Sequence, residues 1–241
     1  TRPKVMGYLA KLGFSQSYTY FTWRNTRAEL EEYFTELTTT EVAEYLRPNL
    51  FANTPDILHK YLQEGGPAAF RVRLVLAATL GASYGIYSGF ELCEGRAVPG
   101  TEEYLDSEKY QVRNWDWDRP DGHIKDLVAA VNRLRREHPA LQYDRGLRFH
   151  ATDNPELIAY TKASPDGASR VLVVVNLDPH RVQHGFLHLP HDALATPVDA
   201  PFVVHELLTD DRFTWRGERH YVRLDPSLPA HVVAVAHGAP A

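Results

Sequence analysis

Asp56 closes the run Leu50-Phe51-Ala52-Asn53-Thr54-Pro55-Asp56. A short apolar strand stops there at polar residues, a proline and one carboxylate, and a helix-like pattern follows. Parallel α/β scaffolds present a catalytic acid in this way, at the C-terminal end of a strand. The plainer reading is a carboxylate at a helix N-terminus, favourable beside the positive end of the helix dipole. Spacing alone leaves both open. Double displacement by carboxyl groups needs a pair of them, and this chain offers one at such a position. The pattern therefore predicts the second half of a larger enzyme.

Other residues compete for chemical roles. Arg24 and Asn25 follow a predicted strand and either line a site or serve as a loop and cap. Trp115 and Trp117, interleaved with Asp116 and Asp118, form either a stacking platform or an anchor for a long loop. His180, His184, His188 and His191 lie among turns without the partner set of a metal site. Gly65-Gly66 lacks the preceding strand and following Lys-Ser/Thr of a phosphate loop. Ser83 and Ser107 have no His–Asp arrangement nearby.

The elements that must position these residues fall into two textures. Lys4 to Leu12 predicts a short amphipathic helix closed by Gly13. Ser17 to Thr22 predicts a strand, from its aromatics and threonines. Thr26 to Leu37 predicts a helix, with Thr26 and Glu29 as a capping box. A second short helix begins at Thr38-Thr39-Thr40-Glu41 and ends at Pro48. After the strand Leu50 to Ala52, Asp56 to Gln63 predicts a helical turn or two, broken by Gly65-Gly66-Pro67. Ala68 to Leu80 is a strongly apolar helix, Ser83 to Ser88 a strand, and Phe90 to about Gly122 a long loop. His123 to His138 is an amphipathic helix. Beyond Pro139 only strands are predicted: Glu156–Thr161, Arg170–Asn176, Gly185–Leu189, Phe202–Glu206, Tyr221–Leu224 and His231–Ala236. The boundary lies near Gln142 to Gly146, giving an α/β unit over 1–142 and a β-sandwich over 146–241 that can own a core.

Composition narrows the class. With 44% hydrophobic and 11% aromatic residues in 241, the chain can bury a core. A net charge of -5 gives no reason to expect nucleic acid or an anionic membrane as partner. The longest apolar run, Leu74 to Ala82, is too short to span a bilayer. The one cysteine, Cys93, excludes an internal disulfide and a cysteine-built metal site. The residues following Thr1 carry no secretory leader, so a cytoplasmic protein is expected.

Four runs carry a family resemblance: Thr1-Arg2-Pro3-Lys4-Val5-Met6, Tyr18-Thr19-Tyr20-Phe21-Thr22-Trp23-Arg24-Asn25, Asn53-Thr54-Pro55-Asp56, and Tyr104-Leu105-Asp106-Ser107-Glu108-Lys109-Tyr110. With Val173 to Pro179 and Tyr221 to Pro226, they resemble the maltosyltransferases of the α-amylase superfamily that use maltose 1-phosphate. The resemblance implies the C-terminal part of a (β/α)8 barrel, strands six to eight, followed by the superfamily's C-terminal sandwich. It implies retention of anomeric configuration by two carboxyl groups, with a third carboxylate, matched here by Asp56, holding sugar hydroxyls. The family's nucleophile and general acid belong to earlier strands. They are expected outside this chain, which is expected to be inactive alone. Glu91 and Glu94 follow the wrong strand to replace them.

Hydrolytic amylases carry a histidine where Pro55 stands, which favours a transferase. Lys109 and Tyr110 match the family's donor-phosphate pocket, where a point cation would stabilise a departing phosphate. Arg24 and Asn25 would line the sugar site. The implied substrates are α-maltose 1-phosphate and an α-1,4-glucan, with no metal or organic cofactor. The resemblance also allows a homodimer of the full-length protein. An amylase-type glucan hydrolase and a non-catalytic glucan-binding fragment remain the alternatives.

Overall fold

The run Ala68 to Leu80 becomes the centre of the molecule. In the computed structural model, which describes residues 2–235, it forms most of α4 (Lys60–Leu80). From Ala69 to Leu80 every residue except Arg71 is buried, as a mainly apolar helix requires. The predicted break at Gly65-Gly66-Pro67 is a kink. Gly66 takes φ 55° and ψ -156°, and the helix resumes at Pro67, whose missing N–H costs nothing in a first turn.

Three parallel strands stand on one side of α4: β1 (Ser17–Tyr18), β2 (Pro48–Phe51) and β3 (Ser83–Gly85), in the order β1-β2-β3. Helices α1 (Pro3–Lys11), α2 (Arg27–Thr39) and α3 (Val42–Tyr45) surround them. The capping box forms as predicted, with Glu29 N–H donating to Thr26 Oγ1 and Thr26 N–H to Glu29 Oε2. The predicted strand Ser17–Thr22 is shorter than expected. Tyr20–Trp23 is a 3-10 turn, because Tyr20 N–H leaves the sheet to donate to Tyr33 Oη. The described residues contain three parallel strands and no closed barrel. Tyr8, Leu12, Phe14 and Tyr18, on α1 and β1 and between them, are exposed.

After α5 (Lys125–Glu137) the chain is antiparallel β. Strands β4 (Arg148–His150), β5 (Leu157–Ala163), β6 (Arg170–Asn176), β8 (Phe202–Glu206), β9 (Arg212–Trp215) and β11 (Ala230–Val235) form one sheet in the order β4-β5-β6-β11-β8-β9. β7 (Gln183–His188) pairs with β10 (Arg219–Leu224), and α6 (His191–Leu194) follows β7. β4 and β9 are absent from the sequence reading because they are short and carry charged or imidazole side chains. Thr1 and the predicted strand end Ala236 lie outside the described residues.

The central strands β5 and β6 of the six-stranded sheet are buried on both faces. Leu157, Leu172, Val174 and Val233 pack against Leu187, Val222 and Leu224 of the two-stranded sheet. Ile158, Tyr160, Val171, Val173, Val175 and Val232 belong to a second cluster with Leu74, Val75 and Ala78 of α4. The β module thus holds one cluster of its own and shares a second with α4. A chain cut at residue 146 would expose that face, and we expect it to aggregate or bind a hydrophobic dye. A monomeric, cooperatively melting 146–241 would contradict this.

The C-terminal carbonyls of α4 are met by side-chain N–H donors from α5 and β5. Arg135 of α5 donates to the Gly81 and Leu141 carbonyls at 3.0 Å each, and Lys162 Nζ on β5 donates to Leu80 O at 2.8 Å. Thr79 Oγ1 and Tyr160 Oη lie 2.7 Å apart. Burial pushes the Lys162 amine down from 10.5 to about 7, against the pull of Asp144. The unfolded chain thus binds more protons than the folded one between these values, so stability should rise with pH across that window. Chemical denaturation from pH 7 to 10.5 should show this rise in the wild type and a flatter profile in Lys162→Met.

Candidate active site

Asp56 sits at the tip of a tight turn between β2 and α4. Thr54 and Ile57 exchange backbone hydrogen bonds at 3.1 and 3.2 Å, with Pro55-Asp56 between them. Proline suits the first central position of such a turn, and Asp56 N–H donates to Thr54 Oγ1 at 3.2 Å. The expected helix start at Asp56 is corrected: α4 begins at Lys60, so the carboxylate caps no helix. It points into solvent, with its side chain 69% exposed, and forms an ion pair with Lys109. Asp56 is the main cause that raises the Lys109 pKa.

Lys109 lies on the long loop after β3. Ser107, itself buried, accepts from Lys109 N–H at 3.3 Å through its hydroxyl and from Tyr110 N–H at 2.9 Å through its carbonyl. Tyr110 is 79% exposed, and the Lys109 ammonium stands 5.3 Å from its ring centroid. The structure therefore brings Asp56, Lys109 and Tyr110 together. Arg24 is placed elsewhere, over the Tyr33 ring and in a cleft with Tyr8 and Tyr45 that none of those three lines. Asn25 Nδ2 reaches Thr22 O at 3.3 Å and His59 Nδ1 at 3.4 Å, while its buried Oδ1 has no partner among the described residues.

Two polar residues of the quoted runs, Asn53 and Glu108, hold the loop. Asn53 is fully buried at the end of β2. Its Oδ1 accepts from Tyr87 N–H at 2.8 Å and its Nδ2 donates to Tyr104 Oη, fastening the end of β3 and the long loop to β2. Glu108 accepts from Tyr87 Oη at 2.9 Å and from Trp115 Nε1 at 3.1 Å. Burial and this carboxylate push Tyr87 up to about 12. Trp115 packs so closely on Gly89 that a Cβ there would lie 2.5 Å from it, and Arg113 covers its ring. Trp115 is thus an anchor, whereas Trp117 is 44% exposed. Glu94 is engaged with Arg96 and Arg113, both at 3.0 Å. Among the described residues no group of three His, Cys, Asp or Glu side chains could hold a metal, and no helix is long and apolar enough to cross a membrane.

The sequence comparisons agree on one family. Residues 149–235 match the family model "GLGE, C-terminal". The alpha-1,4-glucan:maltose-1-phosphate maltosyltransferase of Myxococcus xanthus is 52% identical over 235 residues, covering 98% of this chain and 35% of that protein. Maltosyltransferase 2 of Streptomyces coelicolor is 55% identical over 240 residues, with 98% and 35% covered. The chain is a relative of these maltosyltransferases. It spans about a third of the length of the curated relatives it matches. Among solved structures, an alpha-amylase from Geobacillus thermoleovorans complexed with acarbose superposes with a TM-score of 0.72 at 15% identity, covering 99% of this chain and 52% of the amylase. AmyP in complex with maltose gives 0.61 at 16% identity, covering 89% of this chain and 46% of AmyP. The fold is therefore shared with alpha-amylases.

Asn53 is the residue whose loss should loosen this arrangement most. Asn53→Ala strands the part-buried Tyr87 N–H and the buried Tyr104 hydroxyl, so we expect a cost of ~1–3 kcal/mol in urea unfolding. Faster amide exchange at Tyr87 should accompany it.

Proposed function

We propose that this chain is the C-terminal portion of an enzyme that moves a maltosyl unit from α-maltose 1-phosphate to the non-reducing end of an α-1,4-glucan. The relatives' names support the reaction class. The shared alpha-amylase fold supports reading β1, β2 and β3 as strands six to eight of a (β/α)8 barrel, with a sheet edge and apolar side chains on α1 and β1 left for earlier strands to cover. The single observation that carries the reading on this chain is the Asp56–Lys109 pair at the C-terminal ends of parallel strands. A carboxylate accepts hydrogen bonds from sugar hydroxyls, and an ammonium group receives phosphate. Held side by side before the donor arrives, the two charges satisfy each other, and a sugar phosphate would part them and take both.

In the complete protein, donor cleavage would proceed by double displacement through a covalent glycosyl-enzyme. Asp56 would hold the donor sugar and stabilise the positive charge of the transition state. Lys109 would neutralise the departing phosphate, with Tyr110 beside it. Asn25 would face the sugar from the end of β1. Arg24, turned toward Tyr33, would contribute only through the loop it belongs to. The partners are thus a sugar phosphate and a glucan, the setting cytoplasmic, and a homodimer of the complete protein fits the family. Nothing in this chemistry requires a metal or an organic cofactor.

The test is to give the complete protein α-maltose 1-phosphate, with and without maltohexaose, and follow free phosphate. We expect phosphate release that depends on the acceptor, glucans longer by two sugars, and a donor KM raised about tenfold or more in Lys109→Ala. New reducing ends from starch without phosphate release would make the enzyme a hydrolase. The present chain alone should bind glucan at most, and turnover by it would contradict the proposal.

A further inference from the structure

The Asp56–Lys109 pair cannot position the loop that carries Lys109. Asp56 is largely in water, where a pair of charges is screened and contributes little. The loop is held further upstream. Residues Ala97 and Tyr104 form an isolated antiparallel bridge, Val98 N–H donates to Glu103 O at 2.9 Å, and Gly100 turns the hairpin with φ 78°. Glu102 sits beside this turn. Its carbonyl accepts from Leu58 N–H at 2.6 Å. Its carboxylate accepts from Trp23 Nε1 at 3.1 Å through one oxygen and lies 3.8 Å from His59 Nε2 through the other.

Three loops meet in this one side chain. Trp23 closes the turn after β1, His59 stands three residues past Asp56, and Glu102 precedes Lys109 on the long loop. His59 Nδ1 accepts from Tyr61 N–H at 3.1 Å, which assigns the ring proton to Nε2, the nitrogen that faces Glu102. His59 and Glu102 side chains are only 23% and 34% exposed, so their interaction is better shielded than that of Asp56. Burial lowers the His59 pKa, with Arg73 and Lys60 acting in the same sense and Glu102 and Glu29 opposing them.

We propose that Glu102 is a positioning residue. By joining Trp23 and His59, it sets the long loop against the β2–α4 turn so that Lys109 meets Asp56. This rests on the reading of Asp56 and Lys109 as the donor site, and its test separates the two. Amide exchange over residues 98–110 of the present chain needs no activity. Glu102→Ala should speed it about tenfold, with little change in α4. Glu102→Gln, which keeps the acceptor for Trp23, should remain near the wild type. In the complete enzyme Glu102→Ala should raise the donor KM about tenfold with kcat nearly unchanged, and Glu102→Gln should rescue most of it. Exchange unchanged in Glu102→Ala, or rising equally in the loop and α4, would overturn the positioning role. A complete wild-type protein that releases no phosphate would overturn the functional reading, and the exchange data would still decide the role of Glu102.

Discussion

A helix buried on nearly every side must find a partner for each face, and the second half of α4 imposes that constraint on the rest of the chain. Its middle is sealed by the parallel strands on one side and by β5, β6 and β11 on the other. Its last carbonyls, which have no partners within the helix, face Arg135 and Lys162, donors supplied by α5 and by the β sheet. Its beginning is tied to the same sheet, with Tyr61 Oη donating to Leu177 O at 2.7 Å and Gly65 packed against Pro179. The α/β part and the sandwich are therefore two sides of one core.

The candidate site inherits this rigidity. Arg73, buried within α4 and without a carboxylate ion pair among the described residues, donates to Arg24 O at 2.6 Å and Phe21 O at 2.7 Å and lies over the Phe21 ring. A guanidinium can stay charged there because its donors are met by carbonyls and its face by a ring. The turn after β1 is thus fixed from below, the turn after β2 by its own Thr54–Ile57 bonds, and the long loop by Asn53, Glu108 and Glu102. Exposed charged side chains sit on loops, but each loop is pinned by a buried or half-buried polar group.

What was legible in the sequence was local. The Thr26–Glu29 capping box and the apolar alternation of α5 depend on residues a few positions apart, and both elements lie where the pattern places them. The middle β strands were legible because burial on both faces makes them continuous apolar runs. Asp56 drew attention through the strand, the proline and the acid. Yet the same Pro-Asp pair suits a helix start and a tight turn equally, and the Thr54–Ile57 bonds choose the turn. Lys109 had no signal beyond family resemblance. Glu102 and His59 had no signal at all, because the residues they meet across the site lie tens of positions away and only the folded chain brings them together.

The central claim is that Asp56 and Lys109 divide one donor between them, the carboxylate taking sugar and the ammonium taking phosphate. The most direct measurement is a crystal structure of the complete protein with a non-cleavable maltosyl phosphonate. The account predicts the Asp56–Lys109 ion pair broken, Asp56 on sugar hydroxyls and Lys109 on phosphonate oxygens. An intact pair, with the ligand held elsewhere, would contradict it.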